Sequence, residues 1–194
     1  CIIGAGPAGL CAAVALKACG LGFDIIDKGK VVGGIWDIER KDSAMYESAH
    51  LISSKRMTEF KEFPMREEVA DYPHHLVLRE YFRDFAASFG LYECYQFGAT
   101  VLSVEPLDDG ASWQLSYSLD GKTYTETYAG VLIANGTLHE PNRPVFKGEF
   151  DGEIMHSSEY KSADVFEGKR VLVVGAGNSG CDIAVDAIHR AKHV

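Results

Sequence analysis

Several features that would assign a protein to a common functional class are missing from this 194-residue sequence. Acidic residues outnumber basic ones by 28 to 19, the net charge is -9, and no basic stripe is present, which argues against a nucleic-acid partner. No apolar run approaches the roughly 20 residues that span a bilayer, and no basic segment leads into an apolar run at the N-terminus. We therefore expect a cytoplasmic protein with no membrane segment in this chain.

Metal-binding and redox patterns are missing as well. The five cysteines, Cys1, Cys11, Cys19, Cys94 and Cys181, contain no CxxC pair and no histidine at ligand spacing. We expect them to be small buried hydrophobic residues, and we expect no metal. A disulfide reductase of the thioredoxin-reductase type is disfavoured, because it needs a redox cysteine pair. The adjacent His74 and His75 also lack ligand partners, so we expect them to lie in a solvated loop.

What is present first is a glycine-rich turn between an apolar strand and an Ala-rich helix. Its GxGxxG spacing lets Gly4 make the turn, Gly6 admit a pyrophosphate and Gly9 pack helix against strand. A second strand ends on Asp27, 18 residues after Gly9, where a carboxylate can accept a hydrogen bond from a ribose hydroxyl. The predicted dinucleotide-binding residues here are Gly4, Gly6, Pro7, Ala8, Gly9, Asp27 and Lys28.

A second strand, glycine turn and helix begins roughly 170 residues later, which is the only internal repeat. The strand Lys169–Val174 runs into the turn, and the helix continues from Cys181. The predicted residues for a second dinucleotide are Gly175, Gly177, Asn178, Ser179 and Gly180. Only two residues separate Cys1 from the first turn, and Val194 comes where the next strand should start, so we expect a clipped N-terminus and a truncated second unit. The residues that distinguish NADPH from NADH would lie beyond Val194.

The stretch between the two turns predicts the rest of the architecture. Apolar residues at helical spacing predict a helix over Leu78–Phe89. Residues 96–133 alternate in strand fashion, with turns predicted at Asp108-Asp109-Gly110 and at Asp120-Gly121. The fold class is therefore α/β, with two Rossmann-like dinucleotide-binding units and a small antiparallel β-meander near 96–130. We place the first domain at 1–160, including a linker at 150–160, and the start of the second at 161–194.

The linker has the spacing Phe150-x-Gly152-x-x-x-His156-x-x-x-Tyr160. This spacing resembles the fingerprint of the flavin-containing monooxygenases, the class B flavoprotein monooxygenases that use FAD and NADPH. The stretch from Gly33 to Trp36 resembles the family's Gly-Gly-x-Trp element, and residues 134–136 resemble its Ala-Thr-Gly element. Further FAD contacts implied by the resemblance are Gly34, Ile35, Trp36, Leu51, Ile52, Val101, Ala134 and Asn135.

One segment departs from the family pattern. Aligned on Lys55 and Phe60, the sequence has Ile52 where the family has an Asn beside the reactive flavin carbon. The resemblance therefore marks Ile52, Ser53 and His156 as the candidate catalytic positions. His156 is expected to be structural, joining the FAD and NADP units, or else to be a solvated loop histidine.

The implied function is oxygen transfer from a C4a-peroxyflavin, formed from FAD, NADPH and dioxygen, to a soft nitrogen or sulfur nucleophile, an N,N-dimethylaniline monooxygenase activity. A Baeyer-Villiger monooxygenase is an alternative, although its fingerprint usually ends in Trp followed by Pro or Asp rather than Tyr160-Lys161. A second alternative, favoured by Ile52, is an NADPH-oxidising flavoprotein that releases hydrogen peroxide. A third is a non-catalytic fragment. The partners would be a small amine or sulfide, dioxygen and, as one option, a second copy of the chain.

Overall fold

The computed structural model describes residues 1–107 and 110–194, which divide into two compact units. Unit 1 comprises Cys1–Arg40 and Leu76–Thr137, and unit 2 comprises Lys41–His75 and Leu138–Val194. The turn predicted at Asp108-Asp109 lies outside the described residues. Within the described chain, none of the helices combines the length and apolar character that crossing a bilayer requires.

In chain order the helices and strands are β1 (Ile2–Ile3), α1 (Pro7–Ala18), β2 (Ile25–Asp27), α2 (Lys55–Thr58), α3 (His75–Ser88), β3 (Tyr95–Phe97), β4 (Thr100–Leu107), β5 (Ser112–Leu119), β6 (Lys122–Tyr128), β7 (Leu132–Ile133) and α4 (Asn178–Ala187). Short 3-10 helices occur at Gly34–Trp36, Tyr92–Cys94, Ser157–Glu159 and Ala163–Phe166.

Unit 1 is built on a parallel sheet with the strand order β3-β2-β1-β7. Ile2 pairs with Ile25 on one side and with Leu132 on the other. Ile2, Ile25 and Ile26 are buried, as expected for short apolar strands in a parallel sheet. Because β1 and β2 are adjacent and parallel, the loops that follow them emerge at the same edge of the sheet. The predicted α/β class is confirmed.

The second sheet of unit 1 is the predicted antiparallel meander, with the order β4-β5-β6. The β5–β6 connection is the predicted two-residue turn, in which Asp120 and Gly121 have φ of 49° and 75°. Both values are positive, as a type I′ hairpin turn requires. The meander begins at Thr100 rather than near Gln96, because Gln96 pairs with Ile26 in the parallel sheet.

The strand predicted before the second glycine turn is not formed as a ladder. Among residues 1–107 and 110–194, residues 169–171 pair only with 192–193, through the parallel bridge from Arg170 to His193. Beyond this bridge Leu172 and Val174 are 85% and 67% exposed. A strand is held by its neighbours, and the described residues supply this segment with only one short neighbour. The helix that should follow, α4, does form.

Two further expectations were wrong. Cys1 is buried, but Cys11, Cys19 and Cys181 are exposed because they lie on solvent-facing sides or ends of helices. His75 is buried rather than in a solvated loop, because α3 begins three residues before the predicted Leu78 and the His75 N–H donates to the Ala49 carbonyl at 3.0 Å.

Candidate functional site

The three glycines of the first turn differ in what the fold demands of them. Gly4 has φ +115°, and a Cβ there would lie 2.2 Å from the Ala134 carbonyl oxygen. A Cβ on Gly9 would lie 1.9 Å from the Gly4 carbonyl oxygen. Gly6 has an ordinary φ of -81°, and its Cβ would have only the Gly34 Cα within contact range, at 3.7 Å. The fold therefore requires glycine at positions 4 and 9 but not at position 6.

The Gly33–Trp36 loop lies directly against this turn. The Gly33 N–H donates to the Ala5 carbonyl at 3.0 Å, and a Cβ on Gly34 would lie 2.9 Å from the Gly6 Cα. Gly34 also has φ +58°, so both the lack of space for a Cβ and the backbone conformation favour glycine there. The half-buried Trp36 ring lies 6.4 Å from the ring of Phe82 on α3. The structure thus brings together two elements whose contacting residues, Ala5 with Gly33 and Gly6 with Gly34, are 28 positions apart in the sequence.

Asp27 ends β2 beside the turn and is 7% exposed. Its Oδ2 accepts a hydrogen bond from the Ala5 N–H at 2.7 Å, and its Oδ1 accepts from the Gly29 N–H at 2.5 Å. Arg40, which the sequence analysis missed, donates to the same Oδ1 at 2.9 Å. The guanidinium lies over Gly29, whose Cβ would be 2.5 Å from the Arg40 Nη1. No sequence pattern relates Arg40 to Asp27, so this contact becomes visible only in the folded chain. The neighbouring Lys28 is exposed.

The other predicted FAD contacts in unit 1 lie at different places. The Ala134 N–H donates to the Ile3 carbonyl at 2.8 Å, which sets Ala134 and the exposed Asn135 at the end of β7, next to the turn. Val101 instead packs, half-buried, against the hydrophobic cluster that contains Ile26 and Tyr117. The predicted residues at the ends of the parallel strands therefore share one edge, and Val101 lies on the meander.

The second turn, in unit 2, repeats the pattern of the first. Gly175 has φ +120°, and a Cβ on Gly180 would lie 2.4 Å from the Gly175 carbonyl oxygen. Gly177 has φ -78°, with open space around its would-be Cβ. Asn178 and Ser179 form the first turn of α4. Because Gly177 cannot cap the helix with a side chain, the first N–H groups of α4 are available to an anion.

The segment around Ile52 is held by a buried lysine. Leu51 is buried and its N–H donates to the Pro73 carbonyl at 2.9 Å, whereas Ile52 is 66% exposed. Ser53, also exposed, has its Oγ 2.8 Å from the Thr58 Oγ1. Lys55 is 4% exposed, and its ammonium donates to the carbonyls of residues 66, 67 and 69. Lys55 therefore ties α2 to the loop that follows it.

His156 caps the short 3-10 helix Ser157–Glu159. Its Nδ1 accepts a hydrogen bond from the Ser158 N–H at 3.1 Å, and the Glu159 carboxylate accepts from the His156 N–H at 2.9 Å. These two bonds form a capping box. Arg143 donates to Glu159 at 3.0 Å, and this bond lowers the pKa of the exposed Glu159 carboxyl. Within residues 1–107 and 110–194, no group of three or more His, Cys, Asp or Glu side chains is arranged to hold a metal ion.

Comparison with known proteins places this arrangement in a family. Residues 1–194 match the family model described as FMO-like, flavin-binding monooxygenase-like. The chain is 38% identical over 207 residues to flavin-containing monooxygenase 2 of Homo sapiens, covering 100% of this chain and 38% of that protein. It therefore spans well under half the length of this curated relative.

Solved structures agree with the sequence match. The S-allyl-L-cysteine S-oxygenase of Allium sativum superposes with a TM-score of 0.89 at 25% identity, over 98% of this chain and 48% of that one. OTEMO, in complex with FAD and NADP, superposes with a TM-score of 0.76 at 25% identity, over 98% and 37% of the two chains. The chain belongs to the flavin-binding monooxygenase-like family.

Proposed function

We propose that this chain forms the FAD-binding part and the start of the NADPH-binding part of a monooxygenase that transfers one oxygen atom to a soft nitrogen or sulfur nucleophile. The observation that carries the proposal is the pair Gly6 and Gly177. Both have an ordinary φ and room for a Cβ, so the fold explains neither glycine. A ligand whose phosphates approach the backbone at the start of a helix explains both.

The names of the relatives support the choice of cofactors and chemistry. OTEMO was solved with FAD and NADP, and the Allium protein is named for S-oxygenation. FAD fits the first turn, because β1, α1 and β2 are all formed there and Asp27 lies at the strand end where a ribose is held. NADPH fits the second turn, at the N-terminus of α4. We keep the domain division at 1–160 and 161–194.

In this proposal FAD, once reduced by NADPH, supplies the activated oxygen, and the protein supplies binding and orientation. The turn at Gly4, Gly6 and Gly9 binds the FAD pyrophosphate through backbone N–H groups. Asp27, whose carboxylate already accepts from the N–H groups of Ala5 and Gly29 and from Arg40, accepts a further hydrogen bond from the ribose. The 3-10 turn Gly34–Trp36, packed on Gly6, would bring a glycine backbone and an aromatic ring to the flavin.

A flavoprotein that oxidises NADPH and releases hydrogen peroxide is the second candidate. The observation in its favour is Ile52, an exposed apolar side chain at the position where the family places an amide. An apolar side chain offers no donor to an oxygen atom. The nearest hydroxyl along the chain belongs to Ser53. Its Oγ lies 2.8 Å from the Thr58 Oγ1, so this hydroxyl is already hydrogen-bonded within the protein.

The test is to purify the full-length protein, record its flavin spectrum and measure three rates together. These are NADPH consumption, peroxide release and formation of N-oxide or S-oxide from a panel of tertiary amines and sulfides. Oxide formed in step with NADPH consumption supports the proposal. Peroxide released at the rate of NADPH consumption with every compound supports the second candidate. A colourless protein that binds neither FAD nor NADPH contradicts both candidate functions.

A further inference from the structure

Two tyrosine hydroxyls hold helix α4 within unit 2. The Tyr46 hydroxyl donates to the Asp182 Oδ2 at 2.7 Å, and the Tyr160 hydroxyl donates to the Asp186 Oδ2. The Ser48 hydroxyl donates to the same Asp186 oxygen at 2.9 Å. Asp182 and Asp186 are four residues apart, so they lie on one face of the helix. That face is therefore fixed at two points one turn apart.

Both tyrosines are themselves held in place. Tyr46 is 8% exposed and Tyr160 is 1% exposed, with their ring centroids 5.6 Å apart. Tyr160 also stacks on Phe166, at 5.4 Å and 11° between the ring planes. Burial, and then the hydrogen bond to Asp182, raise the pKa of Tyr46, so its hydroxyl stays protonated and acts as a donor at physiological pH. These side chains form a rigid support rather than a mobile surface.

The hydrogen bond from Tyr46 reaches α4 close to the second glycine turn. Its acceptor, Asp182, lies four residues after Asn178, the first residue of α4. The Ser179 hydroxyl, in the first turn of the helix, acts against burial and Asp182 by lowering the pKa of Tyr46. A rotation or shift of the N-terminal part of α4 would break the bond between Tyr46 and Asp182.

We propose that Tyr46 is a positioning residue for nicotinamide dinucleotide binding, because it fixes the direction in which the first N–H groups of α4 point. This inference rests on the proposed function, in which that helix end binds NADPH. Tyr160 supports the same helix one turn further on through Asp186. Tyr46 comes from a segment more than 130 residues away along the chain, so the sequence motif alone does not reveal it.

The test uses full-length protein carrying Tyr46→Phe, which keeps the ring and removes the hydroxyl. Losing the hydrogen bond to Asp182 leaves the N-terminus of α4 less well oriented. The NADP+ dissociation constant, measured by calorimetry, should therefore rise about 5-fold to 20-fold, with the FAD content unchanged. The KM for NADPH should rise by a similar factor, with a smaller change in kcat. Tyr72→Phe is the matched control, because Tyr72 also lies in unit 2 and is 56% exposed. It should leave the NADP+ affinity at the wild-type value.

A double-mutant cycle separates positioning from general damage. If Tyr46 acts through Asp182, adding Asp182→Asn to Tyr46→Phe should weaken NADP+ binding by less than the sum of the two single effects. Additive effects, or an affinity in Tyr46→Phe within 2-fold of wild type, would overturn the inference while leaving the proposed function intact. Parallel loss of FAD and NADP+ in Tyr46→Phe would also overturn it. Wild-type protein that binds no NADP+ would overturn the proposed function and this inference with it.

Discussion

Adding one methyl group at Gly6 should separate cofactor binding from folding. The Gly6→Ala substitution places a Cβ 3.7 Å from the Gly34 Cα, an ordinary van der Waals contact, at a φ of -81° that any residue adopts. The substitution Gly9→Ala in the same turn places a Cβ 1.9 Å from the Gly4 carbonyl oxygen, where backbone must move. The two substitutions add the same atoms, but the structure predicts different effects on the free energy of unfolding.

The expected magnitudes follow from these distances. In the apoprotein Gly6→Ala should change the free energy of unfolding by less than ~1 kcal/mol, since reduced freedom of the unfolded chain offsets a weaker N-cap. The cost of overpacking, ~1 to 3 kcal/mol, appears only when FAD occupies the space beside Gly6, which predicts a dissociation constant about 5-fold to 150-fold higher. Gly9→Ala should impose at least that cost on folding itself.

The assay is a pair of measurements on each full-length variant. Flavin absorbance after extensive dialysis reports FAD affinity, and denaturant unfolding of the FAD-free protein reports stability. We expect Gly6→Ala to lose flavin and unfold at the wild-type midpoint, and Gly9→Ala to unfold at lower denaturant. A Gly6→Ala protein that retains flavin as tightly as wild type would refute the assignment of FAD to this turn, and so would a Gly6→Val protein that stays yellow.

Four further substitutions test other parts of the molecule. Gly177→Ala should raise the KM for NADPH roughly tenfold with FAD retained; flavin loss instead would mean that the two cofactor sites are exchanged. Lys55→Met removes the hydrogen bonds that the charged ammonium donates to three backbone carbonyls, and it should lower stability by ~1 to 3 kcal/mol in denaturant unfolding, so an unchanged midpoint would contradict the role of Lys55. His156→Ala removes a helix cap, so it should lower the free energy of unfolding by ~0.5 to 2 kcal/mol and slow flavin reduction. Flavin reduction at the wild-type rate would contradict the role of His156 in joining the FAD and NADP units. Ile52→Asn should lower the peroxide released per NADPH consumed, and an unchanged ratio would contradict the alignment on Lys55.

The glycine turns could be predicted from the sequence because their geometry is local. Gly4 and Gly9 are five residues apart, so the spacing of the motif already contains the close approach that leaves no room for a Cβ on Gly9 beside the Gly4 carbonyl oxygen. The turn at Asp120-Gly121 is predictable for the same reason, since two residues with positive φ suffice to reverse the chain. Motifs of this kind can be read from sequence before any packing is known.

Contacts that join distant segments could not be predicted in this way. Arg40 approaches Asp27 because residues 33–36 fold back over the first turn, and no spacing rule relates positions 27 and 40. The burial of His75 depends on a bond to Ala49 from the other side of a loop. The strand predicted at 169–174 failed for a related reason, since a strand needs neighbours and periodicity describes only the strand itself.

The structure gives physical reasons for the spacing of the linker from Phe150 to Tyr160, which the sequence marks only by resemblance. A Cβ on Gly152 would lie 2.5 Å from the ring of Phe150, which is 68% exposed, so glycine leaves room for that ring in its present position. His156 then caps the 3-10 helix whose last residue precedes Tyr160. Tyr160 follows His156 by four residues and so comes directly after the capped turn. In this position its hydroxyl donates a hydrogen bond to Asp186 on α4. The fingerprint therefore supports helix α4 through Tyr160, whereas His156 shapes the turn that carries this tyrosine.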